Sequence, residues 1–164
     1  MRDPKEVFIM LLSDVRRNAE RSTKFYDELG KLAQDEDIKA VLQARELIAN
    51  SILTRIDECF KILGTQPVKL EGKLQDIFVE DFRRELAAIE SPAARRLFVL
   101  AKLSHLLHFR ISEYVALTAA ADATGNYAVG LLLETCLADK LALVERTRRL
   151  IREKIAERVA AAVS

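Results

Sequence analysis

Apolar residues recur along most of this chain at steps of three and four, the repeat that puts side chains on one face of an α-helix. The first stripe is Phe8, Leu12, Val15, Ala19, Tyr26, Leu29 and Ala33, completed by Ser22. It follows Asp3-Pro4-Lys5-Glu6, which has the form of a helix start: an Asp cap, a proline at the first helical position and a carboxylate three residues after the cap. Gly30 falls late in the stripe and is expected to fray its end. A second stripe, Ile38, Leu42, Ala49, Ile52, Ile56, Phe60 and Leu63, predicts a helix over 36–63. Asp35 or Asp37 caps it, and Gly64 suits the left-handed position just past its end.

Residues 64–72 carry the densest run of breakers and read as a crossover within one domain. Leu74, Ile77, Phe78, Phe82, Leu86 and Ile89 then predict a shorter amphipathic helix that ends before Ser91-Pro92, itself a cap and first-turn proline. The next helix runs from Pro92 to about Thr124. Gly125 stops it, Asn126 caps its successor, and the last helix continues from Tyr127 to near Val163. Rods of about 27 to 36 residues are roughly 40 to 54 Å long and pack side by side. Tight turns near residues 34 and 125, with one long crossover between them, predict an all-α, ferritin-like antiparallel four-helix bundle. A fifth, shorter helix lies in the crossover between the second and third long helices. No strand pattern competes.

Composition narrows the picture. The 164 residues suffice for a single domain, 1–164, with an ample core. Lys plus Arg number 26 against 25 for Asp plus Glu, so no global field exists to hold nucleic acid or an anionic membrane. The chain has no signal segment and no run of 18 apolar residues, and its two cysteines, Cys59 and Cys136, lie in apolar stripes far apart. A cytoplasmic, reduced protein is expected, with both thiols packed in the core.

A ferritin-like bundle invites one chemical test. Di-iron members carry inward Glu residues on two helices and Glu-x-x-His on the other two. Glu-x-x-His is absent here, and positions 19, 49 and 52 hold Ala, Ala and Ile. His105 and His108, the only histidines, are three apart, a spacing two metal ligands can use. With Glu113 or Glu134 they form the one candidate for a reduced iron or manganese site. The competing reading makes both histidines partly buried, hydrogen-bonded residues among Leu103, Leu106, Leu107 and Phe109. Ser13-Asp14 suggests no hydrolase, because no His lies in the first hundred residues and no Gly-x-Ser-x-Gly elbow exists. Arg95-Arg96, Arg148-Arg149, Arg152, Lys154 and Arg158 form local basic patches, read as solvated helix ends that complement helix dipoles. An anionic partner there would reveal itself by steep salt dependence. No small-molecule substrate is identifiable.

Four segments carry a resemblance: Val7-Phe8-Ile9-Met10-Leu11-Leu12-Ser13-Asp14, Arg55-Ile56-Asp57, Tyr114 followed by Gly125, and Leu132-Leu133-Glu134-Thr135 with Lys140. In order and spacing the chain resembles the YciE/YciF family of bacterial ferritin-like proteins over nearly its whole length. The resemblance implies the ferritin-like fold, a dimer and a link to stress responses. It also implies where metal ligands would stand, and almost every hard ligand is gone from this chain, although His108 is kept. The carboxylate expected five residues after Asp14 is Ala19, with Glu20 turned about 100° away. A Glu-rich run in the second helix falls on Leu47-Ile48-Ala49-Asn50. The family's Glu-His-Tyr-Glu falls on Leu107-His108-Phe109-Arg110, and its last acidic cluster on Leu137-Ala138-Asp139. Carboxylates buried together need a cation to neutralise them, and once it is gone, apolar replacements are favoured. The expectation is therefore a dry, apolar interior and a non-enzymatic structural or interaction protein. The alternatives are a metal protein with a reduced or displaced site, or a module binding an apolar or anionic ligand.

From Leu97 to Ala121 the third long helix is apolar on nearly every side. Such a helix must be covered on more than one side, which predicts a twofold homodimer through this helix and through Phe78, Val79 and Phe82 of the crossover helix.

Overall fold

The computed structural model describes residues 3–33 and 35–163. Five helices, α1 (Pro4–Leu32), α2 (Glu36–Leu63), α3 (Leu74–Ala87), α4 (Pro92–Ala123) and α5 (Tyr127–Val163), are joined without a strand among those residues. Their ends follow local chemistry. The Asp3 side chain accepts the Lys5 N–H at 2.9 Å. Of the two candidate caps for α2, Asp35 fills the role, accepting the Asp37 and Ile38 N–H groups. Its burial alone would raise the carboxyl pKa, but Arg96 and those two backbone donors hold it below the ordinary value. Gly64 ends α2 at φ +63°, and Gly125 separates α4 from α5 at φ +74°, both in the left-handed region that glycine favours. Gly30, expected to fray α1, does not: the helix continues to Leu32 and the Ala33 N–H still reaches the Leu29 carbonyl.

The four long helices pack as antiparallel neighbours, α1 with α2 and α4, and α5 with α2 and α4. Arg16 to Asp57 at 2.6 Å, Arg55 to Asp139 at 2.5 Å and Lys154 to Asp37 at 2.7 Å record the register, though partly exposed pairs contribute little stability each. The crossover returns along α1. Ser13 Oγ accepts the Val68 N–H at 3.0 Å, and Arg17, held by Asp14, donates to the Leu70 carbonyl at 2.9 Å. Ser13-Asp14 therefore fastens the crossover. Next α3 covers the seam between α1 and α4, where Phe82 meets the Phe25 ring edge-on at 5.3 Å and Phe98 at 5.5 Å.

Two expectations for α3 need correction. Leu74 and Ile77, placed on its inner stripe, are 62% and 53% exposed, because the helix instead turns Gln75 and Phe82 inward, with Phe78, Val79 and Leu86 packed beside them. For the same reason Phe82, expected in a dimer patch, is spent inside its own chain. The core has two apolar zones. One joins the start of α1, the end of α2, the end of α4 and the start of α5; the other gathers around Phe25, Leu42, Phe82 and Leu103. Between them, at mid-height, lies a polar layer. Among the described residues no helix is long and apolar enough to cross a membrane.

Candidate functional site

The candidate ligands are not brought together. Turning 100° per residue, α4 points Leu103, Leu106, Leu107, Arg110 and Tyr114 inward. His105 and His108 consequently lie on its outer face, both exposed rather than partly buried, with His108 Nδ1 2.9 Å from the Ser104 carbonyl. Glu134 is exposed on α5, and Asp139 is engaged by Arg55. Glu113 alone approaches the interior, half-buried, where Arg110 donates to both its oxygens at 2.8 and 2.9 Å and Asn18 reaches it at 3.4 Å. Burial raises the Glu113 pKa despite Arg110. Among the described residues no group of three His, Cys, Asp or Glu side chains could hold a metal ion.

The interior itself differs from the dry core expected. Ala19, Ala49 and Ile52 do line the mid-bundle cavity, but so do Arg45, Arg110 and Lys140. Arg45 is 1% exposed; it donates to the Leu103 carbonyl at 3.1 Å and to Thr147 Oγ1 at 2.7 Å, stacks near the Tyr26 ring, and has no carboxylate partner among the described residues. Arg110, 5% exposed, adds to its Glu113 contacts a 2.6 Å bond to Gln75 Oε1, and Gln75 in turn donates to Ser22. The Lys140 ammonium lies over the Tyr114 ring, 5.2 Å from its centroid. Burial, reinforced by Arg110, pushes the Lys140 pKa down to about 8. Three cationic side chains and one carboxylate thus meet where apolar residues were expected, because each cation finds carbonyl, hydroxyl, amide or ring partners on a neighbouring helix.

This donor set does not fit a two-metal centre. Guanidinium and ammonium groups have no lone pair to offer at neutral pH, and their charge opposes a divalent cation. Arg110 already serves as the cation for Glu113, the carboxylate beside this cavity. The remaining chemistry is quiet. Cys59 and Cys136 are buried free thiols; burial pushes Cys59 up to about 12 and Cys136 upward too, so both are poor nucleophiles. The basic patches are largely committed locally, Arg95 to the Leu86 and Ile89 carbonyls, Arg96 to Asp35, Arg148 and Arg149 to Glu145, and Lys154 to Asp37 and Glu157. The side chain of Arg158 lies outside the described residues.

The three interior cations left a trace in the sequence. Each fills a gap in an apolar stripe: Arg45 between Leu42 and Ala49, Arg110 between Leu106 and Tyr114, Lys140 between Cys136 and Leu143. At steps of three and four these positions are core positions, and reading charge as surface concealed them.

A mid-height polar layer in a four-helix bundle with one long crossover defines a ferritin-like architecture. Over residues 3–160 the sequence matches the family described as "Domain of unknown function (DUF892)", and the chain belongs to it. Among solved structures it is similar to "the E.coli stress protein YciF", with a TM-score of 0.90 at 19% identity over 95% of this chain and 99% of that one. It is also similar to "YcfI, a putative structural protein from Rhodopseudomonas palustris", with a TM-score of 0.85 at 19% identity over 90% of this chain and 94% of that one. At that identity the likeness shows the fold. No curated protein matches by sequence. The YciE/YciF resemblance and the all-α bundle expected from the sequence are borne out.

Proposed function

We propose that this protein is a non-enzymatic ferritin-like bundle of the YciE/YciF type whose di-metal centre has given way to packing and buried cations, and that it serves as a structural or stress-related interaction protein in the cytoplasm. One observation carries the reading: Arg110, buried and paired with Glu113, stands where the resemblance places a family carboxylate. The role is taken from the neighbours, one described as a stress protein and the other as a putative structural protein. Protein purified without a histidine tag from cells supplied with iron, manganese and zinc is expected to contain no stoichiometric metal by elemental analysis. Near-stoichiometric metal that disappears in His108→Ala would overturn the reading.

The homodimer belongs to the same proposal, on a smaller surface than the sequence indicated. Leu97, Phe109 and Val115 remain exposed on the outer face of α4, and Leu74 and Ile77 on α3, whereas Phe82 is no longer available. Sedimentation at micromolar concentration is expected to give twice the 18.5 kDa chain mass; a monomer at that concentration refutes the dimer.

A further inference from the structure

Arg45, Arg110 and Lys140 enclose, with Ala19, Ala49 and Tyr114, a cavity of about 20 Å³ at the centre of the bundle. Space of that size admits one water-sized or monatomic occupant and nothing as large as phosphate. Two features point to an occupant, and the second makes an uncharged one inadequate. Arg45 Nε and Arg110 Nε are buried with no hydrogen-bond partner, and an N–H left so costs desolvation without return. The charges also do not balance: three cations face a single carboxylate, Glu113, which Arg110 holds in an ion pair and which acts on Lys140 only through space, so two of the three positive charges are not offset by a carboxylate among the described residues. A buried cation without a counter-ion is destabilising by several kcal/mol, and an anion between such groups offsets that.

We propose that this cavity is a binding site for a halide-sized monovalent anion, chloride in ordinary media, held by Arg45, Arg110 and Lys140. The site inverts the charge pattern that the resemblance implies, with cations enclosing an anion where carboxylates would enclose metal ions. The ammonium of Lys140 and the two guanidinium N–H groups would supply donors, and Tyr26 and Tyr114 line the same cavity. The inference goes beyond the proposed function, since a metal-free structural bundle could exist with an empty or water-filled cavity, and its failure would leave that reading intact.

The test holds ionic strength constant while sodium gluconate is replaced by sodium chloride from 10 mM to 1 M and the melting temperature is followed. Anything that prefers the folded state raises Tm, and one site filling over this range raises it by about 2 to 8 °C. Non-specific salt effects run the other way, because gluconate is the more strongly excluded anion. Lys140→Met should flatten the dependence. A Tm indifferent to chloride, or an equal rise in Lys140→Met, overturns the proposal. Crystals of the unaltered chain grown in sodium bromide provide a second measurement that needs no variant. An anomalous peak among the three cationic side chains is expected; bromide at surface positions only, an adventitious ion only, also overturns it.

Discussion

Lys140→Met is expected to be more stable than the parent protein by about 2 kcal/mol at pH 7 in halide-free buffer, and to lose that advantage as the pH rises from about 8 to 10.5. Burial and Arg110 depress the ammonium pKa from 10.5 to about 8. Below pH 8 the group is charged in both folded and unfolded chains, so the folded state carries the full penalty; above 10.5 it is neutral in both and the penalty is gone. Stability of the parent therefore climbs through that window. The separation of the two pKa values corresponds to roughly 3 kcal/mol, from which the lost contact with the Tyr114 ring removes about 0.5 to 1. Methionine keeps most of the stem's packing without the charge. The groups facing Lys140 are Arg45 on α2, Arg110, Glu113 and Tyr114 on α4, and Cys136 on α5. Burial raises the pKa of Cys59, Cys136 and Tyr114, so these groups weaken the fold as the pH climbs past about 9. Cys59 and Tyr114 do so in both proteins and cancel in the difference, whereas Cys136, whose thiol the Lys140 charge pulls down, is raised further in the variant, which adds to the loss of its advantage at high pH. Urea unfolding of the pair at pH 7, 9 and 10.5 measures it; an advantage that is absent at pH 7, or unchanged with pH, contradicts the electrostatic account.

Phe82→Ala should lower stability by about 3 to 5 kcal/mol, the usual range for deleting a fully buried ring. Its place makes the effect more than a cavity. Gln75 and Phe82 are the two buried residues of α3, and only the ring of Phe82 bridges Phe25 on α1 to Phe98 on α4. The surviving ties are the buried hydrogen bonds of Gln75 to Arg110 and Ser22, at one end of α3, and partly exposed ion pairs such as Arg21 to Asp76 and Lys102 to Glu85, which are worth little individually. Loss of the ring should thus release α3 and open residues 64–73 to proteolysis while the four long helices persist. Guanidine denaturation reads the first effect and limited trypsin digestion the second. A cost below about 1 kcal/mol with no new cleavage in the crossover would show that α3 is held by something other than this contact.

The helices were legible because their ends are written in local chemistry. Asp3 before Pro4, Gly64, Ser91 before Pro92, and Gly125 each act within a turn of the residue concerned, so neighbours in sequence suffice to read them. The face presented by α4 was not legible, since its apolar residues lie on nearly every side and no single stripe declares an interior. The two histidines shared a face, as their spacing requires, but it proved to be the outer one. The burial of Arg45 depends on Leu103 and Thr147, 58 and 102 residues away, and that of Arg110 on Gln75, 35 residues away. None of those partners shares a local window with the residue it satisfies.

By itself, then, the sequence determined five helices, their order, the crossover and the absence of Glu-x-x-His, all consequences of periodicity, capping and residue type. Only the tertiary structure decided which charged side chains occupy the middle of the bundle. A long charged side chain enters a core when partners from other helices meet its donors, and that condition is met by packing across the bundle, where Arg45, Arg110 and Lys140 converge on one cavity.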